Sequence, residues 1–200
     1  METELKPGIQ KILQCFYKNK REKIHLREIA RRASLNENSA TRFLKQLEKQ
    51  QILKAEREAN LKKYSLKFNK KTAVLLTYLD VEKTNKLPLI RKNAIASFLK
   101  QLIEKPIIAI LFGSTAKETF TEKSDIDILL IVNKRIKTEK AEKYTEAQTG
   151  INISVIQMTY DDFMREKKMK EDHVIQAAME TGYPLTNHIL WYEVMYNETF

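Results

Sequence analysis

The chain has 200 residues, 42% of them hydrophobic, enough for one large or two small domains with ordinary cores. No apolar run approaches the ~20 residues that cross a bilayer, and Met1-Glu2-Thr3-Glu4-Leu5-Lys6-Pro7 lacks a signal-peptide core, so a cytoplasmic chain with no membrane partner is expected. The net charge of +10 is uneven, because residues 1–70 hold 18 Lys/Arg against 8 Asp/Glu while residues 71–200 hold 18 of each. A basic N-terminal part facing a polyanion is the partner class this favours. A lone Cys15 excludes an internal disulfide, and His25, His173 and His188 have no metal-site spacing.

Ile9, Ile12, Leu13 and Phe16 predict a first amphipathic helix over about 8–18. Leu26, Ile29, Ala30 and Ala33 mark a shorter second helix with Arg27, Arg31 and Arg32 facing out. Asn36 caps a third from Glu37 to about Gln50, with Ala40, Phe43, Leu44 and Leu47 buried. Two strands, 52–57 and 61–66, flank a turn at Glu58-Ala59-Asn60. Three helices and a hairpin resemble a winged helix-turn-helix domain over residues 8–68, although Gln50-Gln51 stand where many such domains turn at a Gly. The resemblance implies that the third helix presents Asn38, Ser39, Arg42 and Lys45 to the DNA major groove, and that the wing offers Lys62 and Lys63 to phosphate. Such domains also serve as protein docking modules, for which the same basic residues would be a solvated face.

The first domain is expected to span 1–70, followed by connecting helices over 71–104: Thr72–Val81 and Leu89–Ile103, divided by Lys83-Thr84-Asn85-Lys86 and Pro88. The third part, 105–200, begins with an apolar strand after Pro106 that ends in Gly113-Ser114. A polar loop follows, and then Asp125-Ile126-Asp127-Ile128-Leu129-Leu130-Ile131-Val132. On a strand Asp125 and Asp127 share a face, with Cα atoms roughly 7 Å apart. A polar helix to Gly150, a third strand over 151–158, one helix from Tyr160 to Thr181 and an aromatic tail (185–200, with Trp191, Tyr192 and Tyr196) complete the reading. The tail packs back onto its domain or makes a homodimer contact.

Strand, Gly-Ser, ten residues and Asp-hydrophobic-Asp resemble the signature of the DNA polymerase β-like nucleotidyltransferase superfamily, and the wording is closest to its minimal nucleotidyltransferases. The fold class implied is α+β: an N-terminal winged helix-turn-helix and a C-terminal domain with a small mixed sheet and flanking helices. By the resemblance Asp125 and Asp127 hold Mg²⁺ (or Mn²⁺), Ser114 with Gly113 meets the phosphates of a nucleoside triphosphate, and Lys117 assists. Glu118 departs from the family, which often has Gly there. The family's third carboxylate is also missing, since Asn152 and Ser154 are the polar side chains on that strand. Two readings stand side by side. One is a nucleotidyltransferase acting on a hydroxyl of a protein, such as a toxin-like partner, or of RNA. The other is a DNA-binding regulator whose second domain senses a nucleotide or binds a partner.

Overall fold

The computed structural model describes residues 5–196, and the chain forms two compact units, one running to Leu79 and resuming at Tyr192, the other Asp80–Trp191. In the first unit, α1 (Pro7–Tyr17) starts at a proline whose fixed φ suits the first helical position, and it buries Ile9, Ile12, Leu13 and Phe16. A two-residue strand, β1 (Ile24–His25), leads into α2 (Leu26–Arg32), where His25 Nδ1 accepts from the Glu28 amide at 3.3 Å. Asn36 caps α3 (Glu37–Lys49) by accepting from the Ser39 amide at 2.8 Å. The hairpin strands β2 (Leu53–Glu58) and β3 (Leu61–Leu66) pair antiparallel, with β1 on the other side of β3. Three helices against a β1-β3-β2 sheet are the winged-helix arrangement.

The boundary expected at residue 70 falls inside α4 (Lys70–Asn85), which also continues through the break expected at 83–85. The two units divide within this same helix, after Leu79, and Thr72, Ala73, Leu76 and Leu79 are buried. The aromatic tail divides between the units. Trp191 lies 6.0 Å from Phe163 in the second unit, whereas Tyr196 stacks on Phe68 at 4.3 Å in the first. The last four residues of the expected tail lie outside the described residues.

In the second unit α5 (Leu89–Gln101) precedes β4 (Ile108–Phe112), the short α6 (Gly113–Lys117) and β5 (Ile126–Val132). Next come α7 (Glu139–Thr149), closed by left-handed Gly150, and β6 (Ile153–Thr159). The single helix expected over 160–181 is two: α8 (Tyr160–Met169) ends at Lys170 with φ 58, and α9 (His173–Thr181) begins where Asp172 accepts from the Val174 and Ile175 amides. A competent N-cap inside the polar run 170–173 makes this break favourable. A short β7 (Tyr183–Pro184) adds to β4, giving the order β6-β5-β4-β7 with β5 and β6 parallel, and α10 (His188–Tyr196) closes the described chain.

Ala109, Leu111, Ile126, Ile128 and Leu130 share one core with Ala94, Ile95 and Phe98 of α5 and Ala141 of α7. On the opposite face Ile110, Leu129 and Ile131 are also fully buried, and α8 and α9 contact the strands. Burial on both faces explains why β5 is apolar at every position after Asp127.

Glu28 fastens α2 by accepting from Arg31 at 2.6 Å and from Arg32 at 2.7 Å, and these hydrogen bonds, Arg31's first, hold its carboxyl down at about 2. A depressed folded value means stability that is present above the unfolded pKa and lost as pH falls towards the folded one. Glu28→Gln should therefore be less stable than wild type at pH 7, with the gap closing between about pH 4.5 and 2. Denaturant unfolding at stepped pH is the check, and a gap independent of pH would remove the ion-pair explanation.

Candidate functional site

The turn from β4 to α6 brings the signature residues together. Phe112 pairs with Asp127 across the antiparallel β4–β5 ladder, so the carboxylate of Asp127 arrives at the residue after Phe112, which is Gly113. Gly113 has φ +68, and a Cβ added there would overlap the Asp127 Oδ2 atom. Glycine serves two needs here, a left-handed backbone and an uncovered Cα for the carboxylate to approach. Ser114 and Gly113 are half-buried, Lys117 is exposed, and Asp125 is exposed one residue before β5.

Asp127 also pairs with Ser154 across the parallel β5–β6 ladder. The Asp127 carboxyl is pushed above the ordinary aspartate range by burial and then by the Asp125 charge, while a hydrogen bond from the Ser154 side chain opposes the rise. Two repelling carboxylates at the mouth of a strand, one resting in a glycine cradle, fit a hard divalent cation with oxygen ligands, such as Mg²⁺ completed by phosphate oxygens. Among the described residues no group of three or more His, Cys, Asp or Glu side chains is placed to hold a metal. The residue beside Asp127 on β6, Ser154, carries a hydroxyl rather than a carboxylate.

Glu118, the departure noted in the sequence, has φ 59 and ψ 29. That is the left-handed region in which glycine is least strained. Arg91 of α5, which sequence reasoning misses, lies 2% exposed beside this loop. It donates to Thr115 Oγ1 at 2.8 Å and to the carbonyls of Thr121 and Ser124 at 2.8 and 2.7 Å. Nothing in its sequence neighbourhood, Leu89-Ile90-Arg91-Lys92, distinguishes it from an exposed basic residue.

In the first unit Asn38, Arg42 and Lys45 are exposed and spaced at 4 and 3 residues on α3, which puts them on one face. Lys49, exposed and four residues further on, extends the stripe and is legible from that spacing. Ser39 is half-buried with its amide engaged by the cap. The wing lysines are paired: Lys62 Nζ is 3.1 Å from Glu48 Oε2, and Lys63 Nζ is 2.6 Å from Glu58 Oε2. No ion pair forms at Arg42 or Lys45 among the described residues, and Arg42 lies over the Phe43 ring at 5.1 Å.

A family model described as a nucleotidyltransferase domain matches residues 92–182, a span that contains Ser114, both aspartates and Ser154. Among solved structures, the chain is similar to a Ralstonia eutropha JMP134 protein provisionally described as DNA-binding (26% identity, 38% of this chain, 98% of that one, TM-score 0.32). It is also similar to Lactococcus lactis ZitR, solved as a point mutant (20% identity, 50% of this chain, 74% of that one, TM-score 0.33) and as wild type in complex with DNA (18% identity, the same shares, TM-score 0.31). No curated protein matches the chain. The winged-helix assignment rests on the chain's own helices and sheet order.

Gly113→Ala should destabilise the second unit by more than the about 1–2 kcal/mol of a left-handed alanine, because the Asp127 carboxylate must also move. Combining it with Asp127→Ala should return the excess. Chemical denaturation of wild type, the two single variants and the double variant measures this, and an equal loss with and without Asp127 would show that the two residues do not meet.

Proposed function

We propose that the second unit is a divalent-cation-dependent nucleoside triphosphate-binding domain of the nucleotidyltransferase type, slow at transfer, joined to a duplex-DNA-binding winged helix. The pairing of Asp127 with Ser154 carries the first part of this reading. Asp125 and Asp127 anchor the cation, which when bound supplies charge neutralisation and Lewis acidity at the phosphates. Ser114 and the backbone of Gly113 offer donors to the phosphate oxygens, with Lys117 at the exposed end of α6. A neutral serine cannot take the proton of an attacking hydroxyl, and general-base help is worth about 10²–10⁴ in rate. A second reading, transfer to a protein or RNA hydroxyl at an ordinary rate, is favoured by the retained Gly-Ser and Asp-Ile-Asp geometry.

Calorimetry with ATP, GTP, CTP and UTP should show binding with Mg²⁺ or Mn²⁺ and none after Asp125→Asn or Asp127→Asn. Heat from no nucleotide would defeat both readings. Ser154→Asp should raise single-turnover incorporation of an α-labelled nucleotide by at least about tenfold, a modest share of a general base's effect. Fast wild-type transfer that Ser154→Asp lowers would decide for the second reading.

The DNA part rests on the surplus of ten positive charges in residues 1–70 and on the single-faced stripe of α3. Surface ion pairs are worth at most about 1 kcal/mol, so Lys62 and Lys63 can exchange Glu48 and Glu58 for phosphate at small cost. Among the described residues, Arg42 and Lys45 have no such acidic partner to leave. In the full chain, Arg42→Ala with Lys45→Ala should weaken duplex binding by about tenfold or more and flatten its salt dependence, with Lys62→Ala plus Lys63→Ala losing less. Fluorescence anisotropy at two salt concentrations reads this. Wild type that binds no duplex at low salt would end the proposal.

A further inference from the structure

The segment between Lys117 and Ile126 joins the phosphate side of the site to its carboxylate side without regular structure. Its local hydrogen bonds include the Thr119 amide to the Ser114 carbonyl at 3.0 Å, the Thr121 amide to Ser124 Oγ at 2.9 Å, and the Ser124 amide to the Thr121 carbonyl at 3.1 Å. Arg91 reaches into this loop from α5. One guanidinium nitrogen donates to Thr115, the residue after Ser114, and another donates to the carbonyls of Thr121 and Ser124, the latter the residue before Asp125. Thr115 Oγ1 in turn lies 3.5 Å from the Asp125 carbonyl, and the guanidinium carbon stands 4.2 Å from the centre of the Phe120 ring.

Burying an arginine whose hydrogen bonds go to a hydroxyl and two carbonyls, with no carboxylate among them, is costly, and a loop alone could be fastened by neutral groups. What a guanidinium adds is a rigid planar fork whose donors engage several acceptors in fixed directions. It also adds a positive charge near Asp125 in a site where Asp125 and Asp127 repel.

We propose that Arg91 is the positioning residue of the nucleotide site, fixing the Ser114 end and the Asp125 end of the loop relative to one another before cation and nucleotide arrive. This rests on the nucleotide-binding reading above. Arg91 lies just outside the segment matched by the nucleotidyltransferase model, and its hydrogen bonds go to Thr115, Thr121 and Ser124 rather than to the side chains of Ser114, Asp125 or Asp127.

The test uses the full chain with Arg91→Lys, which keeps the charge and loses the fork. Amide hydrogen exchange should rise by about tenfold or more at Thr119, Thr121 and Ser124, as expected for losing charge-assisted hydrogen bonds, while Leu111 and Leu129 in β4 and β5 stay protected. Affinity for the tightest of the four nucleoside triphosphates with Mn²⁺ should fall by about tenfold or more. If exchange rises throughout the sheet, Thr115→Val, which removes one acceptor at nearly constant volume, must reproduce the loop-confined change. Unchanged loop exchange in both variants overturns the inference. So does a loosened loop with undiminished Mn²⁺–nucleotide affinity, since Arg91 is then a loop fastener only. Wild type that binds none of the four nucleotides defeats the nucleotide reading itself and the positioning role with it, whereas wild-type binding that Arg91→Lys preserves overturns this inference alone.

Discussion

The contact on which the second unit's site depends is the approach of the Asp127 carboxylate to Gly113. It follows from a register: Phe112 opposite Asp127 on one side, Ser154 opposite Asp127 on the other. That register is fixed by burial, because slipping β5 by one residue would turn Ile126, Ile128 and Leu130 out of the core they share with α5 and α7. Hydrophobic packing several residues away thereby aims a carboxylate. The glycine is the one residue type that lets it land, and the left-handed turn it permits starts α6 at once, with Ser114 as the next residue.

Electrostatically the site is held in an unfavourable state by its own fold. Asp127 is desolvated and stands beside a like charge; a serine hydroxyl on β6 relieves it, while the charge of Arg91 acts on Asp125. An acid at position 154 would worsen that repulsion in the absence of a cation. A hydroxyl leaves a site that is easier to fold empty and weaker as a base. The trade between stability and chemistry therefore runs through one side chain.

Much of this is legible in the sequence, for identifiable reasons. Strands buried on both faces read as apolar runs, and the cap at Asn36 reads as a polar residue before helical periodicity and accepts the amide predicted of a cap. Gly-Ser and Asp-Ile-Asp meet because the β4–β5 register brings Asp127 to Gly113. What stays hidden depends on tertiary context. The two-residue strands β1 and β7 carry too few residues for a periodicity and exist because β3 and β4 offer them an edge. The break between α8 and α9 rests on Lys170 taking a left-handed conformation, which lysine does not advertise, although Asp172 does offer a cap. Arg91 is invisible for a sharper reason: a basic residue on a helix is presumed to face solvent.

The first unit shows the converse limit, where composition counts charges without saying which are available. The ten surplus positive charges of residues 1–70 are real, but Glu28, Glu48, Glu56 and Glu58 are tied to Arg31 and Arg32, Lys62, Lys23 and Lys63 respectively. These pairs draw four of the eight acidic residues of 1–70 into contact with α2 and the wing. Among the described residues, the basic charge that no acid holds at Arg42 and Lys45 is left on α3, the element whose helical spacing turns it to one side. A polyanion meeting this unit would find Arg42 and Lys45 without acidic partners among the described residues, whereas Lys62 and Lys63 would first have to leave theirs. The asymmetry first seen as a count thus becomes a direction, set by which lysines and arginines the glutamates already hold.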